Sequence, residues 1–260
     1  MGILDGQVAV VTGASRGIGR AIATAFLEQG AKVAFNGRDQ SSADDFVSSL
    51  DDAGDVWFCQ GSVLITADIE ALIDGAVEQF GHIDILVNNA GGSSALQPVV
   101  ELDEAAWEED LRWNLTSTFL ATKFALKHML AQQSGTVINI SSVEGKIGTP
   151  SMAAYAAAKH GVNGFTKSVA AEVGRSGITV NALCPGLILT DAVMTGGPGL
   201  AESLGMTFDE LVDNVFKAKT LTGELNTAEQ VAAMSVFLAS PAGRGITGSQ
   251  ISIDGGTAPY

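Results

Sequence analysis

Short apolar runs alternate with longer amphipathic segments along the chain. The apolar runs are rich in β-branched residues and predict strands at residues 7–12, 32–36, 56–60, 83–88, 136–140, 178–183 and 250–253. Most of these runs are continuously apolar rather than alternating between apolar and polar positions. Such strands are buried on both faces, which is typical of a parallel sheet with helices on its two sides.

Helical periodicity marks the segments between the predicted strands. It predicts helices near residues 18–29, 41–52, 66–80, 104–131, 152–174 and 227–239. Thr227 and Gln230 have the spacing of a capping box at the start of the last helix. Because alternating strands and helices build βαβ units, we expect an α/β Rossmann fold, a three-layer, doubly wound parallel sheet of seven strands.

Residues 186–216 interrupt this alternation. The segment contains a Gly-Gly-Pro-Gly sequence and many apolar side chains, and it predicts a long, irregular insertion. Insertions of this kind near the carboxyl ends of strands often close over a substrate. We therefore expect one domain over residues 1–260, with a substrate lid at about 186–216.

Composition and charge exclude several classes of protein. The chain has 14 Lys and Arg against 29 Asp and Glu, and its net charge of −15 argues against nucleic-acid binding. It shows neither a basic, apolar leader nor an apolar run of membrane-spanning length, so we expect a cytoplasmic protein without a membrane partner. Cys59 and Cys184 lack metal-ligand spacing, which favours reduced thiols and no metal site.

A glycine-rich turn follows the first predicted strand and opens the first helix. Residues 12–19 read TGASRGIG, with Gly13, Gly17 and Gly19 at Gly-x-x-x-Gly-x-Gly spacing. Glycines let backbone N–H groups approach a phosphate at a helix N-terminus. A glycine-rich turn can also be only a turn, but this position between strand and helix favours dinucleotide binding.

Tyr155 and Lys159 lie four residues apart in a predicted helix and therefore share one face. A nearby ammonium group favours the phenolate, so we expect Lys159 to lower the pKa of Tyr155. A tyrosine tuned in this way can exchange a proton with an alcohol or ketone oxygen. His160 points away from this face, which favours a structural role for it.

Further motifs occur at the ends of the later strands. They are the sequence Asn88-Asn89-Ala90-Gly91, Asn114 in the long helix, Ser142 thirteen residues before Tyr155, and Pro185-Gly186 followed by Thr190. With the glycine turn, these motifs span nearly the whole chain and are highly specific as a set. The chain resembles the short-chain dehydrogenase/reductase family, in its single-domain branch.

The resemblance implies catalytic roles for Asn114, Ser142, Tyr155 and Lys159. Tyr155 would be the general acid in reduction and the general base in oxidation. Lys159 would lower its pKa and hold the nicotinamide ribose, and Ser142 would hydrogen-bond the substrate oxygen. Asn114 would hold a water that relays protons from Lys159 to solvent.

The resemblance also implies positions for a bound dinucleotide. Residues 89–91 would pack beside the adenosine ribose, although Asn89 could chiefly stabilise the sheet. Relatives often have Asp at the position of Ser62, so adenine would rest on Val63 and a weaker hydroxyl contact. The predicted cofactor-binding residues are Gly13, Ser15, Arg16, Gly17, Ile18, Gly19, Arg38, Ser62, Val63, Asn89, Ala90, Gly91, Tyr155, Lys159, Pro185, Gly186, Ile188 and Thr190.

The stretch AFNGRDQ, residues 34–40, bears on the choice of cofactor. NAD-preferring relatives have an acid at the position of Gly37, which repels a 2′-phosphate. Here Arg38 follows that glycine, and Arg16 would approach from the first turn. Asp39 could pair with Arg38 and dilute its charge. We expect NADP(H) in preference to NAD(H).

Substrate specificity is less evident from the sequence. Ser142, Glu144 and Leu187 are the predicted substrate-binding residues. Glu144 could bind a substrate hydroxyl or amine, or it could face solvent. Apolar residues in the predicted lid favour an apolar or mixed substrate, and no cluster of Arg or Lys near these loops offers an anchor for a polyanion.

These features favour an NADP(H)-dependent carbonyl reductase, possibly of the 3-oxoacyl type. The alternatives are an NAD(H)-dependent secondary-alcohol or 3-hydroxyacid dehydrogenase, a non-catalytic dinucleotide sensor, and a dehydratase or epimerase. The last usually needs a second domain, and a sensor does not need the four catalytic residues. The small and apolar residues in the helices at 104–131 and 152–174 predict a homotetramer.

Overall fold

Seven parallel strands form one sheet in the computed structural model, which describes residues 2–50, 55–94 and 96–258. The strands are β1 Val8–Val11, β2 Lys32–Gly37, β3 Val56–Gln60, β4 Ile85–Asn88, β5 Gly135–Ile140, β6 Ile178–Pro185 and β7 Gln250–Ile253. Their order is β3-β2-β1-β4-β5-β6-β7, and all seven predicted strands are confirmed. The direction of winding reverses between β1 and β4, where ligands bind in folds of this kind.

Nine α-helices connect the strands within the described residues. They are α1 Gly17–Glu28, α2 Gln40–Ser48, α3 Thr66–Phe80, α4 Glu104–Leu111, α5 Ser117–Gln132, α6 Ala153–Val173, α7 Asp191–Ser203, α8 Phe208–Leu211 and α9 Ala228–Ala239. The second helix ends before the predicted residue 52, and residues 51–54 lie outside the described residues. The predicted capping box of α9 is present, since Thr227 Oγ1 accepts from the Gln230 N–H.

The helices cover both faces of the sheet. On one face, Ile22 and Phe26 of α1 pack with Val231 and Leu238 of α9, and α2 joins the same cluster. On the other face, buried side chains of α3, α5 and α6 pack against the outward-facing residues of the central strands. Because alternate strand residues point to opposite faces, β1 contributes to both cores. The three-layer, doubly wound Rossmann fold is therefore confirmed.

The long helix predicted at 104–131 is divided by a π turn at Arg112–Thr116, which separates α4 from α5. The buried amide of Asn114 lies within this turn. Wider turns of this kind are often found at functional sites, because they turn a side chain out of the regular helical register. Helical periodicity alone did not reveal it.

The segment at 186–216 is largely helical, so the expectation of an irregular insertion is wrong. It contains α7, α8 and a second π turn at Val212–Phe216. A capping box between Thr207 and Glu210 starts α8, and it was overlooked in the sequence. Gly197 leaves room for the ring of Phe208, since a Cβ there would lie 2.2 Å from its Cε2 atom. The role of this segment as a lid stays a prediction.

Within the described ranges, no helix is both long enough and apolar enough to cross a membrane. The same part of the chain contains no group of three or more His, Cys, Asp and Glu side chains arranged to hold a metal ion.

Candidate active site

The glycine turn joins the end of β1 to the start of α1. Gly13 and Gly17 have positive φ values of 66° and 58°, which favour glycine. Gly19 packs so closely that a Cβ would lie 2.4 Å from Asn89 Nδ2. No side chain caps the start of α1 at Arg16. The first N–H groups of α1 are therefore without a side-chain cap, which suits an anion.

Neighbouring strands hold this turn in place. Asn36 of β2 is buried, and its Oδ1 accepts from the Gly13 N–H at 2.9 Å. Thr12 Oγ1 accepts from the N–H groups of Asn89 and Ala90, both at 3.0 Å. Asn89 Nδ2 donates to the carbonyl oxygens of Thr12 and Gly13. The contacts of Asn89 thus favour the structural alternative for this residue, because its amide donors hold the turn.

Arg38 is close in sequence to Asp39, but the two side chains have different surroundings. Asp39 caps α2, where its carboxylate accepts from the backbone and hydroxyl groups of Ser41 and Ser42. Hydrogen bonds from Ser42 and Ser41 hold the pKa of Asp39 below its usual value. Among the described residues, no ion pair joins Arg38 to a carboxylate. The pairing with Asp39 that the sequence left open is therefore absent from the contacts that the structure describes.

Gly37 lies against the glycine turn. A Cβ at this position would be 3.0 Å from Ser15 Oγ, so a larger side chain would have to displace Ser15. This contact brings the turn that contains Arg16 beside Arg38. The guanidinium of Arg38 lies 6.0 Å from the ring centre of Trp113, at the limit of a cation–π contact.

The predicted adenine position lies after β3. The Ser62 N–H donates to Asp68 Oδ2 at 2.8 Å, and Ser62 Oγ accepts from the Leu64 N–H at 3.3 Å. Val63 is buried in the same core as the partly buried Trp113. Asp68 and Trp113 were not predicted, and both shape this end of the site.

Tyr155 and Lys159 project from successive turns of α6, as predicted. Lys159 Nζ lies 5.4 Å from the centre of the Tyr155 ring and donates to the Ile140 carbonyl oxygen at 2.9 Å. Lys159 is 4% exposed, and Ser142 is buried beside the end of β5. Ser142 lies close enough to Tyr155 for its hydroxyl to lower the pKa of the phenol. The structure therefore brings three of the predicted catalytic residues together at one sheet edge.

The pKa of Tyr155 differs from the sequence-based expectation. Burial raises it to about 12, and the charges of Glu144 and Asp110 act in the same direction. The nearby hydroxyl of Ser142 acts in the opposite direction and lowers the pKa of Tyr155. Burial also lowers the pKa of Lys159 to about 8. The expectation that the pKa of Tyr155 is lowered is therefore wrong for this chain, because desolvation sets the direction of the shift.

Asn114 is buried, and both the oxygen and the nitrogen of its side-chain amide form hydrogen bonds. Its Oδ1 accepts from the Gly92 N–H at 3.1 Å, and its Nδ2 donates to the carbonyl oxygens of Gly92 and Asp110. Gly91 leaves room for this amide, since a Cβ there would lie 2.5 Å from Asn114 Oδ1 and 3.3 Å from Lys159 Nζ. Asn114 therefore ties the loop after β4 to the π turn. Its predicted role in holding a water stays a prediction.

Asp110 is a buried carboxylate that sequence reasoning missed. Its Oδ1 accepts from the Ser94 N–H at 2.7 Å, and its Oδ2 accepts from Ser93 Oγ at 3.3 Å. It lies four residues before Asn114, a spacing that places two side chains on one face of a regular helix, and its carbonyl oxygen accepts from Asn114 Nδ2. That spacing was the signal that could have revealed it.

Glu144 does not face solvent, so that alternative is wrong. The residue is 7% exposed, and its Oε1 accepts from Thr149 Oγ1 at 2.6 Å. Its N–H donates to Ser142 Oγ at 3.1 Å. Its Oε2 is buried without a hydrogen-bond partner among the described residues.

The segment after β6 closes the other side of the site. Gly186 approaches β7, because its N–H donates to the Ile253 carbonyl oxygen and a Cβ would lie 3.0 Å from Asp254 Cα. Ile188 is buried, and Leu187 is partly exposed. The methyl group of Thr190 would lie 3.6 Å from a Cβ at Gly17. The predicted nicotinamide residues therefore lie beside the glycine turn.

A cleft of about 970 Å³ extends from Gly17, Ile188 and Thr190 between α1 and α9. Of the predicted cofactor residues, its lining includes Gly17, Ile188 and Thr190 alone. Its lining does not include Ser142, Tyr155 or Lys159. The predicted catalytic residues therefore lie outside this cleft.

The family model for short chain dehydrogenases matches residues 7–199. A 3-oxoacyl-acyl-carrier-protein reductase from Vibrio cholerae is 38% identical over 256 residues, with 97% of this chain and 98% of that protein covered. A D-beta-hydroxybutyrate dehydrogenase from Rhizobium meliloti is 35% identical over 256 residues, with 96% and 98% covered.

Solved structures give the same family. A crystal structure of a variant actinorhodin polyketide ketoreductase with NADPH matches with a TM-score of 0.93 and 34% identity, over 100% of both chains. The matched length, the shared fold and the grouping of Tyr155 with the buried Lys159 and Ser142 agree with one another. The chain belongs to the short-chain dehydrogenase family.

Proposed function

We propose that this chain is an NADP(H)-dependent oxidoreductase that interconverts ketones and secondary alcohols. The observation that carries the proposal is the group that Tyr155 forms with the buried Ser142 and Lys159 at the carboxyl edge of the sheet. A 3-oxoacyl substrate is the leading class, since a relative named for that reaction is covered over nearly its whole length. An NAD(H)-dependent dehydrogenase of alcohols or 3-hydroxyacids is the second candidate, which the hydroxybutyrate dehydrogenase relative supports.

The residues at the sheet edge fit a dinucleotide with a 2′-phosphate. Gly13, Gly17 and Gly19 keep the turn free of side chains, and α1 begins without a side-chain cap. Arg38 has no carboxylate partner among the described ion pairs, and Gly37 offers no acid to repel a phosphate. When bound here, NADPH supplies a hydride to the carbonyl carbon of a ketone. The remaining predicted cofactor residues would hold it as the family resemblance implies.

The chain's own residues supply the proton chemistry. With a pKa of about 12, Tyr155 is protonated near neutral pH and can donate its proton to a carbonyl oxygen. Ser142 would donate a hydrogen bond to that oxygen as negative charge develops. Lys159 would balance the charge left on the phenolate, because its ammonium group lies close to the ring. Asn114 would hold the relay water, and Glu144 and Leu187 would contact the substrate.

We also propose a homotetramer in the cytoplasm, with residues 186–216 acting as a substrate lid. Support for assembly comes from large apolar side chains that stay exposed on packed helices, including Phe119 and Leu130 of α5 and Phe237 of α9. A light-scattering mass near that of one chain, 26.7 kDa, would contradict the tetramer.

The activity is tested with a panel of ketones and secondary alcohols, by following nicotinamide absorbance with both NADPH and NADH. We expect turnover by the wild-type protein and a loss of at least about a hundredfold in Tyr155→Phe. Binding of NADPH to this variant, measured by fluorescence titration, should stay within about threefold of wild type, since the ring is retained.

Turnover that survives in Tyr155→Phe would contradict the proposed acid–base role. Tight NADPH binding without turnover of any compound would instead favour the non-catalytic dinucleotide sensor.

A further inference from the structure

Two buried side-chain oxygens in the described part of the chain lack a hydrogen-bond partner, Glu144 Oε2 and Asn88 Oδ1. Asn88 is a neutral amide between strands, and its Nδ2 donates to Thr122 and Asn139. Glu144 is a carboxylate, and leaving one of its oxygens buried without a donor is much more unfavourable. An oxygen of this kind is therefore expected to meet its donor on a ligand.

Glu144 lies at the reaction centre. Its own N–H donates to Ser142 Oγ, and its carboxylate charge contributes to the raised pKa of Tyr155. Its other oxygen, Oε1, is held by the hydroxyl of Thr149 at 2.6 Å. The side chain is thus fixed by one oxygen and presents an unpaired oxygen in the surroundings of the catalytic phenol.

A second carboxylate gives the same region a negative character. Asp110 is fully buried, and its charge also raises the pKa of Tyr155. The nearby cation, Lys159, donates to the Ile140 carbonyl oxygen and has a lowered pKa of about 8. The site therefore contains two buried carboxylates against one ammonium group that loses its proton readily. Such a site disfavours a substrate that brings a further negative charge.

We propose that Glu144 selects substrates by accepting a hydrogen bond from a donor close to the reacting carbon. The substrate class is then a ketone or secondary alcohol that carries a hydroxyl or amino group a few atoms away. Compounds with a carboxylate at that position are rejected. This inference rests on the proposed function and narrows it, because it disfavours free 3-hydroxyacids while allowing neutral acyl compounds.

The test compares four secondary alcohols of nearly equal size. They are 4-amino-2-butanol, 1,3-butanediol, 2-pentanol and 3-hydroxybutanoate, which place an ammonium, a hydroxyl, a methyl group or a carboxylate at matching positions. With NADP⁺ we expect kcat/KM to fall in that order. The two donors should exceed 2-pentanol by about tenfold to a hundredfold, as expected for hydrogen bonds to a charged group.

Two variants separate recognition from folding. In Glu144→Gln the amide oxygen can keep the bond from Thr149 and place NH₂ where the unpaired oxygen was. Relative to 2-pentanol, which reports any change that acts through the pKa of Tyr155, we expect the donor compounds to lose about tenfold or more and 3-hydroxybutanoate to gain. The matched control, Glu172→Gln, makes the same change at an exposed carboxylate of α6 and should leave the order of the four compounds unchanged.

Equal effects of Glu144→Gln on all four alcohols would overturn the proposal, as would a wild-type preference for 3-hydroxybutanoate. A binding measurement distinguishes failure of the Glu144 proposal from failure of the proposed function. The Tyr155→Phe variant loaded with NADP⁺ is titrated with each alcohol by calorimetry. If wild type turns over none of them but this complex binds them in the expected order, the selection by Glu144 stands and the proposed reaction fails. Equal binding of all four overturns the selection.

Discussion

The two ends of the sheet edge are built on different principles. At the dinucleotide end, the glycine turn offers backbone groups, and Arg38 stays exposed. At the reaction centre, ionisable side chains are buried, namely Glu144, Lys159 and Asp110. At the first end the charge of Arg38 is hydrated, so it costs the folded state little free energy. The second holds charge in a medium that disfavours it.

The difference shows which region contains ionisable groups that lower the stability of the fold while serving the proposed reaction. The glycine turn is held by hydrogen bonds of Asn36, Thr12 and Asn89, so these polar groups have partners at the dinucleotide end. At the reaction centre, burial lowers the pKa of Lys159 to about 8, and one oxygen of Glu144 has no partner among the described residues. Unfavourable states of ionisable groups are typical of catalytic sites, because the chemistry needs them.

The largest effect is expected from removing the buried ammonium group. Lys159→Met should lower kcat by about a hundredfold to ten-thousandfold, since charge on the Tyr155 phenolate is no longer balanced. The measurement is steady-state reduction of a ketone with NADPH. Lys167→Met is the matched control, because Lys167 is exposed on the same helix. Similar losses in both variants would show that the effect belongs to the helix and not to the site.

The same variant should reveal the energetic penalty of the buried charge. The pKa of Lys159 is about 8 in the folded chain and 10.5 as a free side chain, so the unfolded chain binds more protons between these values. Stability attributable to Lys159 therefore rises as pH increases from about 8 to 10.5, and it is lost as pH falls back to 8. The change is about 3 kcal/mol in the free energy of unfolding.

Urea unfolding at several pH values measures this change as the difference between wild type and Lys159→Met, because other titrating groups then cancel. A difference that does not vary with pH would mean that the ammonium group is not desolvated as described.

A smaller, selective effect is expected at the dinucleotide end. Arg38→Asp should raise the Michaelis constant for NADPH by about tenfold to thirtyfold relative to NADH, because a repelling carboxylate replaces a phosphate partner. Stability should change little, since Arg38 is exposed. Arg175→Asp introduces the same charge change at the opposite edge of the sheet, after α6, and should leave the ratio unaltered. An unchanged ratio in Arg38→Asp would refute the proposed cofactor preference.

Much of the fold was predictable because burial on both faces leaves a strong local pattern. The seven strands and the helix bearing Tyr155 and Lys159 follow from periodicity that a single segment carries. The glycine turn was equally predictable, because its positive φ values favour glycine over other residues.

What the sequence could not provide depends on contacts between distant segments. The π turn around Asn114 needs the loop after β4 as a partner, and the raised pKa of Tyr155 depends on burial by the whole domain. Glu144 was ambiguous because its burial depends on packing and on the hydroxyl of Thr149. The helices of 186–216 were missed because glycine and proline obscured the capping signal at Thr207.

The π turn at Arg112–Thr116 makes part of the active site sensitive to chain length. A π turn contains more residues than an α-helical turn, and each residue rotates the helix by about 100°. Loss of one residue within it would allow α4 and α5 to merge into a regular helix and would remove the wide turn that contains Asn114. A substitution here alters the contacts of one side chain, whereas a one-residue deletion would shift the backbone that positions Asn114 and still leave a helix. Evolutionary change through insertion and deletion is therefore more restricted at this turn than change through point substitution.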